Sequence, residues 1–225
     1  TTYSGPPASR TLKPGSISSL DVATYDITGS GPDSAHFSYN DYSAATLEET
    51  GLVTGEWTIA VTGKNSDGVA LVEGSATTTV TGATINPVTI QLDITEGTGT
   101  FAIDLSWPAS KISNPSITAT LTPIGETATN ITMDSLEAGA GTASYQNSSQ
   151  RTGSYRLIIQ LKDDGNIAWG RMESVFVLKD ATTTAQWSLT EDELKYPPAA
   201  PSGLHVTERT TSSVTIQWTD NATVE

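Results

Sequence analysis

One short stretch occurs twice in this chain and constrains its fold more than any other feature. A Thr-Gly pair and one further residue precede an aromatic side chain, Trp57 in one copy and Tyr155 in the other. The two aromatic residues are 98 positions apart (155 − 57), and each opens a series in which apolar residues alternate with polar ones. Such alternation places the apolar side chains on one face of a β-strand. Because the sequences that follow also match, the repeat predicts a duplicated β-domain.

Each copy of this strand leads into an Asp-Gly turn, at Asp67-Gly68 and at Asp164-Gly165. An Asp-Gly pair between two alternating runs is typical of a β-hairpin. We therefore expect a return strand after each turn, over residues 69–80 in the first copy. The second copy then closes with a strand that contains Trp187, which takes the place of Ile90 in the repeat (187 − 90 = 97) and is expected in the core.

Other segments give weaker patterns. We expect residues 44–49 to form a short edge strand, and an alternating run at Val88, Ile90 and Leu92 to supply the last inward face of the first domain. Residues 137–149 are rich in Gly, Ala, Ser and Asn, which favours a long loop around one possible strand at 143–145.

These patterns divide the chain into five segments. Residues 1–14 are expected to be an extended leader or linker without a core role, because Gly5-Pro6-Pro7 and Lys13-Pro14 interrupt any apolar period. The two β-domains are predicted at 15–95 and 98–190, and the connection between them is too short to allow much freedom, so we expect them to stack end to end. A proline-rich acidic linker at 191–200 precedes a last segment at 201–225.

Charge and composition restrict the partners. The chain has 11 Lys and Arg against 25 Asp and Glu, a net charge of −14, which repels nucleic acid. It contains no cysteine, and no apolar run approaches the roughly 20 residues of a membrane-spanning helix. The low charged fraction and frequent Thr, Ser and Gly favour a bacterial secreted or cell-surface protein.

The last segment has a recognisable form. Pro201-Ser202-Gly203-Leu204-His205-Val206-Thr207 and then Ser212-Ser213-Val214-Thr215-Ile216-Gln217-Trp218-Thr219-Asp220 resemble the first two strands of a fibronectin type III domain. This resemblance covers residues 201–221 and implies that five side chains face a core: Leu204, Val206, Val214, Ile216 and Trp218.

In each repeat the glycine of the Thr-Gly pair, Gly55 or Gly153, forms a corner at which the repeated strand begins. This glycine-corner strand is similar to a strand of immunoglobulin-like and fibronectin-related modules. Together the two resemblances imply an all-β chain of two tandem immunoglobulin-like antiparallel β-sandwiches plus the beginning of a third, fibronectin type III-like domain. Such tandem architecture is typical of bacterial surface and secreted multidomain proteins, so the other domains of a parent chain are the first expected partners.

Residue types suited to catalysis or metal binding are few. The two histidines lie in different segments, and neither has an orienting partner that would make a triad, so we predict no catalytic residues and no cofactor. Asn65-Ser66-Asp67-Gly68 matches part of a calcium-binding loop. However, Gly63 and Gly74 then fall where the first and last acidic ligands belong, so we predict no metal site there.

The sequence therefore predicts a non-enzymatic extracellular structural or adhesion module, such as a stalk, adhesin or assembly segment. One alternative is a carbohydrate-binding module with Trp169 and Tyr145 as an exposed aromatic platform, in which case Trp169 must face solvent. Another is a filament subunit. Two strands alone cannot bury the five apolar side chains of the last segment, and a strand from a neighbouring copy could complete it.

Overall fold

The computed structural model describes residues 11–82, 85–195, 201–219 and 221, and these residues form an all-β protein with four sheets. The only helical segments in this part of the chain are three single turns of 3-10 helix, and none is long and apolar enough to cross a membrane. The strands are β1 (Thr11–Leu12), β2 (Thr24–Ser30), β3 (His36–Tyr42), β4 (Gly55–Lys64), β5 (Ala70–Val80), β6 (Asp93–Ile94), β7 (Thr98–Ser106), β8 (Pro115–Pro123), β9 (Thr129–Ile131), β10 (Ser135–Glu137), β11 (Thr142–Arg151), β12 (Gly153–Asp163), β13 (Asn166–Val177), β14 (Thr182–Ser188), β15 (Ser202–Arg209) and β16 (Val214–Thr219).

The second repeat is a β-sandwich made of two packed sheets. One sheet has the order β9-β8-β12-β13-β1 and the other has the order β10-β11-β7-β14. Alternating side chains of both sheets meet between them, as expected when two sheets pack face to face. The core contains nine large apolar side chains that are at most 2% exposed: Phe101, Ile103, Leu105, Ile112, Leu157, Ile159, Leu161, Val175 and Val177.

The first repeat forms one sheet, with the order β3-β2-β4-β5-β6. Its first four strands follow the same order as β9-β8-β12-β13, so the duplication seen in the sequence is also a duplication of sheet topology. One face is lined by half-buried apolar residues such as Ile27, Ile59 and Val61, whereas exposed Thr and Ser residues line the other. The described residues of this repeat contain no second sheet, so the prediction of two sandwiches is met only at the level of an all-β, sandwich-like fold.

The glycine corner has the same geometry in both repeats. Gly55 and Gly153 adopt φ angles of 134° and 152°, a region that L-residues with a Cβ atom rarely enter. Two residues later, the aromatic ring turns back over the corner. Trp57 Nε1 donates a hydrogen bond to the Val53 carbonyl at 2.9 Å, and the Tyr155 hydroxyl donates one to the Arg151 carbonyl at 2.6 Å. The glycine corner therefore fixes where β4 and β12 begin.

The segment before the first repeat is not a free leader. Thr11 and Leu12 pair in parallel with Ser174 and Val175 of β13, and Leu12 packs against the core of the second repeat. The prediction that residues 1–14 have no core role is therefore wrong for this strand, which is too short to show a period in sequence. Residues 1–10 lie outside the described residues.

The two repeats also share a small apolar cluster. Ile17 and Leu71 of the first repeat pack with Leu178 of the second, and all three are at most 4% exposed. The short connection between the repeats is thus accompanied by direct side-chain contact. Within the second repeat, Gly99 lies so close to the Leu178 backbone that an added Cβ atom would be 2.2 Å from the Leu178 carbonyl oxygen.

Four segments differ, in whole or in part, from the sequence prediction. Residues 137–149 are not a long loop, because β10 and the ten-residue β11 occupy most of the range. Residues 44–49 contain no strand. In residues 85–92 Val88, Ile90 and Leu92 are half-buried and alternate with exposed residues, as predicted, but the segment joins no ladder. The 191–200 linker begins with a 3-10 turn, and Leu194 is buried in the second repeat at 5% exposure. Residues 196–200 are outside the described part of the chain.

Candidate functional site

The residues singled out from the sequence lie in three separate places: the exposed β15–β16 hairpin, the core of the second repeat, and a cleft at one end of that repeat. A fourth feature, which the sequence did not indicate, is the apolar face of the first-repeat sheet.

The β15–β16 hairpin carries an apolar face with no cover from the described residues. Val206 pairs with Ile216, and alternation places the other predicted apolar side chains on the same face. All five are at least half exposed: Leu204 (72%), Val206 (57%), Val214 (52%), Ile216 (50%) and Trp218 (56%). Contiguous exposed apolar surface of this kind marks interaction sites in soluble proteins. The hairpin is thus the strongest candidate binding surface.

The apolar face of the first-repeat sheet, formed by β2, β4 and β5, is only partly covered. Ile59 and Val61 are half-buried, although Leu157 and Ile159, their counterparts in the second repeat, are fully buried at 0% exposure. Residues 85–92 lie across part of this face. Their backbone approaches so closely that a Cβ atom at Gly74 would lie 2.1 Å from the Gln91 carbonyl oxygen.

Trp169 lies in the core rather than on the surface. It is 8% exposed, and its ring centroid lies 5.5 Å from that of Trp187. Arg171 holds its guanidinium 5.9 Å from the Trp187 ring centroid and forms an ion pair with Glu173, whose side chain is 2% exposed. The Glu173 Oε2 atom has no hydrogen-bond partner among the described residues. In this position Trp169 has no free face for a sugar.

A cleft of about 1020 Å³ opens at the end of the second repeat that faces residues 93–97. Tyr145 lines it and is half-buried, with its ring centroid 6.3 Å from that of Phe101. Most of the other lining side chains nearby are polar, among them Asn130, Asn147, Gln150 and Arg151. The cleft combines two aromatic residues, Tyr145 and the buried Tyr155, with several hydrogen-bonding groups, a composition that suits a polar ligand.

Three charged side chains with a shifted pKa, Asp26, Lys64 and Asp67, have structural partners. Lys64 Nζ lies 2.7 Å from carboxylate oxygens of both Asp26 and Asp41. The hydrogen bond from Lys64 lowers the pKa of Asp26, and the Asp26 and Asp41 carboxylates raise the pKa of Lys64. The Ser18 hydroxyl and backbone N–H, at 2.5 and 2.8 Å, lower the pKa of Asp67. These contacts hold strands and turns together.

The hairpin turn at residues 65–68 is likewise occupied by local bonds. Asn65 is 2% exposed, donates to the Ser19 carbonyl at 3.0 Å, and accepts from the backbone N–H groups of Asp67 and Val69. In the described part of the chain, no three His, Asp or Glu side chains come together as potential metal ligands. Each histidine donates through Nδ1 to a backbone carbonyl two residues earlier in its own segment.

Comparison with known proteins finds no protein-family model that matches this chain and no similar sequence among curated proteins. The function is therefore inferred from the surfaces described above.

Proposed function

We propose that this chain is a non-enzymatic structural or adhesion segment of a bacterial extracellular or cell-surface multidomain protein. The exposed apolar face of the β15–β16 hairpin carries this proposal, because such a face is a surface for another protein rather than a reaction site. The repeated sheet topology and the contacts between the two repeats support a spacer role, and the acidic composition suits a soluble extracellular environment.

Solution scattering tests the spacer role. Two repeats joined by β1 and by the Ile17–Leu71–Leu178 cluster should behave as one elongated particle of fixed length. The expected pair-distance distribution has a long tail that does not change with salt. A compact globular distribution would contradict the spacer role.

The cleft that contains Tyr145 supports a second candidate, a carbohydrate-binding module. A sugar ring can stack on an aromatic side chain while neighbouring polar groups bond its hydroxyls. Because Trp169 is buried, this candidate now depends on Tyr145 with Asn130, Asn147 and Arg151. On a glycan array, Tyr145→Phe should keep any binding, since the ring remains, and Tyr145→Ala should lose it. An array without hits for the unchanged protein would exclude this candidate.

A further inference from the structure

The second repeat shows which strand completes a sheet of this kind into a sandwich. In its smaller sheet β7 is an inner strand, antiparallel to β11 on one side and parallel to β14 on the other. Ile103 and Leu105 of β7, and Trp107 directly after its last residue, are 0%, 2% and 4% exposed, because they pack on the sheet that contains β8 and β12. In this repeat β7 is therefore the centre of the covering layer.

The first repeat lacks such a strand among its described residues. The repeats are offset by 98 residues at Trp57 and Tyr155 and by 97 residues at Ile90 and Trp187. These offsets place the equivalent of β11 at residues 44–53 (142 − 98, 151 − 98) and that of β14 at residues 85–91 (182 − 97, 188 − 97). Neither segment belongs to a ladder in the described structure. The sheet face below them remains half-buried, whereas its counterpart below β7 is fully buried.

Strand β16 repeats the apolar pattern of β7. Val214, Ile216 and Trp218 have the same spacing as Ile103, Leu105 and Trp107, although Trp107 comes directly after β7 whereas Trp218 lies within β16. Ile103, Leu105 and Trp107 are buried, but the three side chains of β16 are each at least 50% exposed. The chain thus contains an uncovered strand with the pattern of the covering layer, and a sheet that the described residues leave partly uncovered.

We infer that the β15–β16 hairpin of one copy packs its apolar face on the β2–β4–β5 face of a second copy, with β16 along the line that β7 follows in the second repeat. The competing occupant is the chain's own segment 1–10, but its Gly5-Pro6-Pro7 sequence suits an inner strand poorly because proline has no N–H to donate. The inference rests on the proposed structural role. Since donor and acceptor surfaces differ, association is head to tail and extends into chains unless two copies exchange hairpins.

Site-directed cross-linking tests this contact, and the absence of cysteine from the chain makes each introduced thiol unique. Protein with Val61→Cys is mixed with protein with Ile216→Cys, and a bismaleimide with a reach of about 10 Å, the spacing of packed sheets, is added. The matched controls are Thr62→Cys and Gln217→Cys, which lie on the opposite faces of β4 and β16. We expect the Val61–Ile216 mixture to give a covalent dimer, with at least about tenfold less dimer from either control mixture.

Three results would overturn the inference. One is equal cross-linking of test and control pairs, or none. Another is a double variant, Val61→Cys with Ile216→Cys, that cross-links only within a single chain, which would mean that the hairpin folds back on its own sheet. The third is cross-linking that appears only after deletion of residues 1–10, which would identify that segment as the occupant.

Sedimentation of the uncross-linked protein supplies an independent readout. The average mass should rise with concentration, and Ile216→Asp should abolish the rise while Thr215→Asp, on the polar face of β16, leaves it unchanged. Ile216 is exposed, so its replacement is not expected to unfold the protein. A protein that stays monomeric but elongated in scattering would overturn this docking and leave the spacer role intact.

Discussion

At the residue scale, the glycine corner explains how two stretches of different sequence build the same turn. Trp57 and Tyr155 share neither ring size nor donor atom, yet each donates to the carbonyl four residues earlier. The backbone requirement is met by glycine in both copies, at Gly55 and Gly153. The corner could be predicted from the sequence because all the residues that form it are adjacent in the chain.

The hydroxyl of Tyr155 should contribute measurably to stability. Tyr155→Phe keeps the buried ring but leaves the Arg151 carbonyl without this donor, and we expect a loss of about 0.5–1.5 kcal/mol in the free energy of unfolding. Urea denaturation measures it. Tyr145→Phe is the matched control, because no hydrogen bond from the Tyr145 hydroxyl is seen in the described structure. Equal losses in both variants would contradict a specific role for the corner bond.

Gly153→Ala should destabilise the second repeat through backbone strain. An added Cβ atom would meet the Tyr155 ring at an ordinary contact distance of 3.5 Å, so the φ angle of 152° is the main obstacle. Holding such a conformation costs a non-glycine residue roughly 1–3 kcal/mol. Gly170→Ala in β13 is the control, since its contacts also begin at 3.5 Å but its φ is not positive. Thermal unfolding should show a clear decrease for Gly153→Ala only.

The bond from Ser18 predicts an acid-dependent contact. It lowers the pKa of Asp67 from its usual value of 3.8, so the folded state binds this proton less readily than the unfolded state does. The stabilising contribution is therefore fully present above the unfolded pKa and is lost as the pH falls through the lower, folded value. In an NMR titration the chemical shift of the Asp67 carboxyl group should change with a midpoint below pH 3.8, and Ser18→Ala should move this midpoint upward. An unchanged midpoint would exclude the contact.

At the element scale, strands were predictable where apolar and polar residues alternate strongly and not where the pattern is polar. β4 and β12 have clear alternation, and their predicted positions are confirmed. Only the 143–145 part of β11 was predicted, because Ser, Thr, Asn and Gln fill most of this strand and only Ala143 and Tyr145 belong to the core cluster or pack against it. The partial exposure of the first-repeat sheet could not be predicted from the sequence either. Ile59 and Val61 alternate with polar residues in the same way whether or not a second sheet covers them.

Hydrogen exchange should separate β11 from its first-repeat equivalent. The amides of β11 that bond to β7 are in a ladder, whereas residues 44–50 join none in the described structure. We expect slow exchange for β11 and exchange close to that of an unstructured peptide for residues 44–50. Comparable protection in both segments would mean that the first repeat also forms its second sheet, and it would remove the open face on which hairpin docking depends.

At the scale of the whole molecule, the two repeats are joined by more than the connection between them. β1 adds to the edge of the second-repeat sheet from a position in the chain before the first repeat. The cluster of Ile17, Leu71 and Leu178 then places side chains of both repeats in one small core. Such contacts between distant parts of the chain could not be read from local patterns, because each of these residues also fits the core of its own repeat.

The shared cluster predicts that the repeats stabilise each other. Leu178 is 4% exposed, and replacing a buried leucine with alanine typically costs about 2–5 kcal/mol. Because Leu178 belongs to the second repeat but packs on Ile17 and Leu71, Leu178→Ala should increase amide exchange in β4 of the first repeat as well as in β12. Leu189→Ala is the control, since Leu189 is also buried, at 8% exposure, but lies only in the core of the second repeat. It should affect β12 and leave β4 nearly unchanged. If Leu178→Ala also spares β4, the repeats are independent units that merely touch, and a spacer of fixed length would need another source of rigidity.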